Sequence, residues 1–319
     1  MSHNIGILAP GKGWGNFVSY ISCFKTISRA RNKKIILITK EFSSAKSYLE
    51  DQEFVKEFHQ IPDNKRGVFK TIKYIIKLYQ ILSKSRLDEI FIFHSSLTLV
   101  IISYLANIKN IYAPGIRYQN FFLSQKNKLY KNFFSKSIEA VEETKSLTKK
   151  ILKVDNIEFI PLKYNANIDK KLVGICIACS GSEKQWGEVN YIKLINFLIE
   201  NQYNKFLILS GKDQSNLENS IISNYSDQIM FIDTSKKNIG EVIPDLKKCN
   251  FVIGNDTGFS HLSVAYNKKT FVILGDCPPH TYSNLITPID KDENIERSND
   301  SIKTIKLEKV LKYLNKSLI

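Results

Sequence analysis

The sequence predicts an α/β protein built from two doubly wound parallel-sheet domains with a cleft between them, and three observations lead to it. Short runs rich in Ile, Val and Phe recur along the chain, apolar on both faces as strands sandwiched between helix layers must be. Helical patterns of period 3.6 separate these runs. The length, 319 residues, is about twice that of a typical single domain.

Taken in order, Ile5–Ala9, Lys34–Thr39, Ile90–Phe93 and Ile111–Ala113 read as the strands of the first half. Phe17, Ile21 and Phe24 line one face of a helix that follows the first strand. The stretch Ile90 to Ile108 carries no charge over 19 residues, long enough to suggest a membrane span. Its His94, Ser95, Ser96, Thr98, Ser103 and Asn107 argue instead for a strand, a polar loop and a buried helix from Leu97 to Ala106. Thr148 to Lys171 is polar and basic, holds a weak strand at Glu158–Pro161, and is the best linker. It sets domains at 1–160 and 161–319. Val173–Ala178, Phe206–Ser210, Ile229–Ile232, Phe251–Gly254 and Thr270–Leu274 read as strands of the second half. Tyr191, Leu194, Ile195, Leu198 and Ile199 mark a helix between the first two. Leu307, Val310, Leu311 and Leu314 mark a C-terminal helix that has the option of packing back on the first domain.

Hydrophobic residues at 43% suffice for two cores, and 14 Gly with 8 Pro exclude a low-complexity or fibrous chain. The formal net charge of +15 favours an anionic partner: nucleic acid, phospholipid headgroups or an acidic glycan. Biased codon usage accounts for a Lys- and Ile-rich composition equally well. Five cysteines are an odd number, and Cys176-x-x-Cys179 lies in and just after an apolar strand with no second pair. Small buried hydrophobes in a reducing cytoplasm fit this best. Met1 to Pro10 runs straight into a strand without the pattern of a signal peptide.

In doubly wound sheets, ligands bind beyond the C-terminal ends of the strands, where helix N-termini point at them. Four loops qualify. In Gly254-Asn255-Asp256-Thr257-Gly258-Phe259-Ser260-His261-Leu262, Gly258 frees the backbone at a helix start, so that amides and the Thr257 hydroxyl can face a phosphate. Asp256 can accept from sugar hydroxyls, and His261 follows one turn later. A plain Asp/Thr helix cap with a packed histidine is the alternative. In the loop after Ala178, the small residues Ser180, Gly181 and Ser182 allow close backbone approach and Lys184 can neutralise a diphosphate. A flexible connector with a surface lysine reads the same way. Gly211 sits in a third strand-to-helix turn. The fourth loop, Pro10 to Asn16, spaces its glycines too tightly for a dinucleotide fingerprint.

Lys184-Gln185-Trp186, then Gly211 after a strand, then Asn255-Asp256-Thr257-Gly258 with His261-Leu262, resembles the ADP-heptose:lipopolysaccharide heptosyltransferase family. That family carries a small-residue loop followed by Lys-x-Trp, and later an Asn/Ser-Asp-Ser/Thr-Gly-x-x-His-Leu signature. Order, spacing and context agree over roughly residues 173 to 280. Gly15 before a helix and Leu105-Ala106-Asn107-Ile108 match the family's first half more loosely. The resemblance implies a GT-B fold, with an acceptor-side domain and a donor domain, and metal-independent, inverting transfer from a nucleotide-diphospho-sugar. That co-substrate would be ADP-linked, and no cofactor is implied. By position, Thr257 and Gly258 would hold donor phosphate, Asp256 the donor sugar and Lys184 the diphosphate, with His261 supporting the pocket. Gly13, Trp14, Gly15 and Asn16 would lie on the acceptor side.

The family supplies a proposed general base as the Asp of a Gly-Asp pair, and here the pair is Gly15-Asn16. An amide cannot take a proton from a hydroxyl at neutral pH. His94 is the favoured substitute, in a loop expected to open on the same cleft. Otherwise Asn16 positions an acceptor already ionised, or the protein binds a donor without transferring it. Arg117 to Lys153 holds nine Lys/Arg against three Glu, interleaved with Tyr118, Phe121, Phe122, Tyr130, Phe133 and Phe134. This suits docking on an anionic glycolipid at the inner face of the cytoplasmic membrane, amphipathic helices with a solvated basic face, or single-stranded nucleic acid. Nucleic acid is the least favoured partner. The leading expectation is transfer to a cell-envelope glycan such as lipopolysaccharide core. A donor-binding pseudoenzyme, a sugar-nucleotide epimerase and a nucleic-acid module are the alternatives.

Overall fold

The computed structural model describes residues 3–10, 14–62, 67–124, 140–280 and 282–318. The chain divides into two compact units, Met1–Ile160 and Pro161–Ile319. Gly13, Tyr130, Phe133 and Phe134 lie outside the described residues.

The first unit runs β1 (Ile5–Leu8), α1 (Trp14–Ser19), α2 (Ile21–Arg31), β2 (Ile35–Lys40), α3 (Lys46–Leu49), β3 (Val55–Ile61), α4 (Val68–Ser85), β4 (Glu89–Ile92), α5 (Leu97–Leu105), β5 (Asn110–Tyr112) and α6 (Ala140–Leu152). Its five strands lie in the order β3-β2-β1-β4-β5, every pair parallel. The uncharged stretch around residue 100 resolves into β4, a loop and α5. Among the described residues no helix is long and apolar enough to cross a membrane.

The second unit runs β6 (Leu172–Cys176), α7 (Glu188–Glu200), β7 (Lys205–Leu209), α8 (Ser215–Ile222), β8 (Met230–Asp233), α9 (Ile239–Leu246), β9 (Phe251–Asn255), α10 (Gly258–Ala265), β10 (Lys269–Leu274), β11 (Ile286–Asp290) and α11 (Leu307–Leu318). The six strands are ordered β11-β10-β9-β6-β7-β8, again all parallel. Val173, Ile175, Leu194, Ile208, Ile253 and Ile273 pack in one buried core with Val310 and Leu314. The buried face of α11 thus belongs to this unit's own core.

Three differences from the sequence reading have physical causes. β3 and β11 escape detection because each is an edge strand: β3 exposes Lys56 and Glu57, and β11 contains Pro288. An edge tolerates both, since only one side of its backbone must pair. The strand expected at 158–161 does not form. There Ile160 N donates to the Ser22 hydroxyl, and the next paired amide, Leu162 N, donates to Ala265 O. The linker expected from Thr148 begins later, because α6 runs to Leu152 and buries Leu147 and Thr148.

One glycine fixes the centre of the second sheet. Gly254 has φ +145°, and a Cβ there would stand 2.1 Å from the Cys176 carbonyl oxygen. Backbone on the neighbouring strand cannot yield. Gly254→Ala is therefore expected to destabilise the protein by at least about 3 kcal/mol. A shift of the urea midpoint to lower concentration measures this, and an unchanged midpoint contradicts it.

Candidate functional site

In the second sheet the chain reverses its winding between β6 and β9. Loops leaving two such strands diverge and open a crevice at their C-terminal ends. A cavity lies there, lined by Cys179, Ser180, Lys184, Asp256, Ile273, Gly275, Asp276, Cys277, Asn299 and Ile302. Four segments build it, the loops after β6, β9 and β10 and the helical turn Asn299–Thr304.

The loop after β6 is anchored by Trp186. Its indole is 1% exposed and donates to Ile305 O at 2.6 Å. Just before this anchor, a single helical turn, Ser182–Lys184, turns Lys184 into the cavity. Lys184 Nζ meets Asp276 Oδ2 at 2.5 Å. Burial alone would lower the lysine pKa, but the hydrogen bond and charge of Asp276 outweigh it and raise it. Gln214 braces this loop from the turn after β7: its Oε1 accepts from Gly211 N and its Nε2 donates to Cys179 O.

The loop after β9 is held by Asn255, whose Oδ1 accepts from the Tyr191 hydroxyl at 2.6 Å. Its Nδ2 reaches the carbonyls of Ile177 and Ala178, both at 3.3 Å. Asp256 follows, with His280 Nε2 at 3.0 Å and His261 Nε2 at 3.4 Å from its Oδ1. The Cys277 thiol donates to Oδ2 at 3.0 Å. Oδ1 is buried, so Oδ2 is the oxygen left to face the cavity. Burial by itself would raise the Asp256 carboxyl, yet the imidazoles of His280 and His261 hold it well below the usual range. Behind it, His261 Nδ1 lies 2.6 Å from the Tyr282 hydroxyl. The Thr257 hydroxyl caps α10, accepting from Phe259 N at 3.2 Å, and also touches Cys176 Sγ at 3.0 Å. Thr257 is thus the cap that the sequence offered as an alternative. The N-terminus of α10, with Gly258 as its first residue, brings positive dipole to this end of the sheet.

Asp256, Cys277 and His280 offer donor atoms within 4.8 Å of one another, the geometry a cation needs. Metal binding requires a thiolate. Burial, and then the charge of Asp256, push the Cys277 thiol up to about 12. As placed, the thiol and the His280 imidazole flank one carboxylate that is held ionised.

In the first unit, the equivalent crevice lies beyond β1 and β4. A pocket there is lined by Pro10, Lys40, Thr71, Tyr74, Ile75, His94, Ser96, Thr98 and Leu99. His94 Nδ1 accepts from Ser96 N at 3.0 Å. A backbone N–H only donates, so the neutral ring carries its proton on Nε2. As placed, His94 presents a donor rather than a base. Trp14, Gly15 and Asn16 form the first turn of α1.

The structure therefore gathers Ser180, Lys184 and Asp256 around one cavity, with Gly181, Ser182, Gly211, Thr257, Gly258 and His261 in the loops and turns that frame it. Sequence reasoning missed Asp276, Cys277, His280, Tyr282 and Asn299. The first four follow β10, whose C-terminal loop the same strand-end rule selects, and Cys277-Pro-Pro-His280 is the densest run of reactive side chains in it.

Two doubly wound parallel sheets, one with a charged cavity at its switch point, define a GT-B glycosyltransferase fold. The profile of glycosyltransferase family 9 (heptosyltransferase) matches residues 118–315, well over half of the chain, and the chain belongs to that family. Lipooligosaccharide heptosyltransferase 2 of Haemophilus ducreyi is 28% identical over 116 residues, 35% of this chain and 33% of that protein. The matched stretch thus spans about a third of the length of this curated relative, and its Haemophilus influenzae counterpart gives the same share at 24% identity. Among solved structures, E. coli ADP-heptose lipopolysaccharide heptosyltransferase II superposes with a TM-score of 0.78 over 98% of both chains at 17% identity. At that identity the likeness shows the shared fold.

With His280 removed, burial acts on Asp256 with less opposition. In His280→Gln the Asp256 carboxyl is expected to titrate at higher pH than in the native protein. The stability it contributes, present while it is ionised, then begins to disappear at higher pH as the solution is acidified. Side-chain carboxyl NMR reads this directly, and an unmoved titration contradicts the role assigned to His280.

Proposed function

We propose that this chain is an inverting, metal-independent glycosyltransferase that takes a sugar from a nucleotide-diphospho-sugar, with ADP-heptose the simplest donor. The acceptor is a cell-envelope glycan of the lipopolysaccharide-core type. The observation that carries the reading is the cavity in which Lys184 and Asp256 stand beside the N-terminus of α10. In the reaction, an acceptor hydroxyl oxygen bonds to the anomeric carbon, the bond from that carbon to the diphosphate breaks, and the hydroxyl proton goes to a base. Negative charge grows on the departing diphosphate. Lys184 and the α10 amides stabilise it, as preorganised donors do when water is excluded, and so the step calls on no metal ion. Asp256, held ionised, accepts from hydroxyls of the donor sugar. Asn16 cannot serve as the base. His94 takes that role once its ring turns off Ser96, freeing the Nδ1 lone pair. A glycolipid acceptor brings the chain to the inner face of the cytoplasmic membrane as a peripheral protein.

Two measurements test this. ADP-heptose should raise the melting temperature more than UDP- or GDP-sugars do, because a ligand selective for the folded state stabilises it. Lys184→Ala should lower kcat/KM roughly 10- to 100-fold, assayed in the presence of EDTA. No stabilisation by any nucleotide sugar sinks the transferase reading. The base is tested separately. Gln keeps a hydrogen-bond donor but accepts no proton, so His94→Gln and His94→Ala should lose kcat alike. Rescue by Gln assigns His94 to holding the acceptor instead.

A further inference from the structure

The helix α4 divides into three stripes. Tyr74, Leu78, Ile81 and Leu82 are buried against the first unit, and at 100° per residue they fall in one arc. The solvent side is not uniformly polar. Val68, Phe69, Ile72, Ile76 and Tyr79 share a second arc, exposed by 74, 89, 47, 51 and 44%. Lys70, Lys73, Lys77 and Lys84 share the third, all exposed, and no Asp or Glu occurs between Val68 and Ser85. A helix side that simply faces water carries mixed charges and isolated apolar residues. Five large apolar side chains aligned over roughly 16 Å of helix, beside a row of unbalanced cations, need another explanation.

We propose that α4 is a membrane-docking helix that lies on the surface of a bilayer containing anionic phospholipid. The apolar stripe enters the headgroup–acyl boundary and the lysines remain among the phosphates. Charge complementarity selects this occupant: the cationic row has no acid on its own helix, and a leaflet of anionic headgroups supplies the opposite sign along its whole length. A protruding line of Phe and Ile also suits a fluid surface, which deforms around each side chain without a matching pocket. Long lysine stems reach from the apolar boundary to the phosphates. The helix cannot cross the bilayer. The proposal takes a peripheral membrane location from the proposed function, but it rests on a surface separate from the donor cavity, and its assay needs no turnover.

The test is flotation of the full chain with vesicles of phosphatidylcholine alone or mixed with phosphatidylglycerol. Binding is expected with the anionic vesicles only, weakening as salt is added. Phe69→Ser combined with Ile76→Ser should lower partitioning roughly tenfold or more. Lys70→Gln with Lys73→Gln and Lys77→Gln should remove the preference for phosphatidylglycerol. All five positions are exposed, and an unchanged melting temperature confirms that the variants fold. Absence of vesicle binding, or binding untouched by both variants, overturns the proposal. So does a dimer in sedimentation that the Phe69/Ile76 variant converts to monomer without loss of vesicle binding, since the stripe then serves a second copy. Vesicle failure with ADP-heptose stabilisation intact removes this inference and leaves the transferase reading standing.

Discussion

At the switch point of the second sheet, the backbone of Gly254 passes so close to Cys176 that no side chain could separate the two strands. The next residue exploits that proximity. Asn255 donates across to the carbonyls of Ile177 and Ala178, while its own carbonyl accepts from the Ser260 hydroxyl at 2.7 Å. One buried amide thereby ties the start of the loop after β6 to the first turn of α10. Crevices at switch points open because two loops leave in opposite directions. Here the same divergence is braced at its root, so Lys184 from one loop and Asp256 from the other line a single cavity.

The charges in that cavity are answered in two different ways. Lys184 and Asp276 are about one-third exposed, at 30% and 33%, so their attraction is screened by water and exchanging one partner for another costs little. Asp256 is fixed. It is flanked by two imidazoles and a thiol, and its inner oxygen is buried. Removing a partner from such a buried network costs far more than removing one from an exposed pair. The cavity therefore has an exchangeable cationic end and an invariant anionic end. On the proposed reading, a diphosphate would take the first and the hydroxyls of a sugar the second.

Much of this was legible in the sequence because the central strands are apolar on both faces, a pattern that only a covered parallel sheet produces. The edge strands β3 and β11 were not legible, since Lys56, Glu57 and Pro288 obey the weaker demands of an edge. Among site residues, Lys184 and Asp256 were found because they sit at strand-to-helix turns within a recognisable spacing. His280 was not, because its loop leads from β10 to β11, a strand invisible to periodicity, and not into a helix. Thr257 shows the limit of reading a hydroxyl from sequence. Its side chain spends a lone pair on its own helix, as cap residues do.

The first unit raises a different electrostatic question. The pocket beyond β1 and β4 presents Lys40 and the Nε2–H of His94. Both are donors, and neither can take a proton as placed. A half-turn of the His94 ring reverses this for the histidine. The turn leaves the half-buried Ser96 amide without the Nδ1 acceptor, at a cost of about 1 kcal/mol. Hydrogen bonds to a bound acceptor are of that size. On the proposed transferase reading, acceptor binding would supply the free energy that turns His94 from a donor into a base.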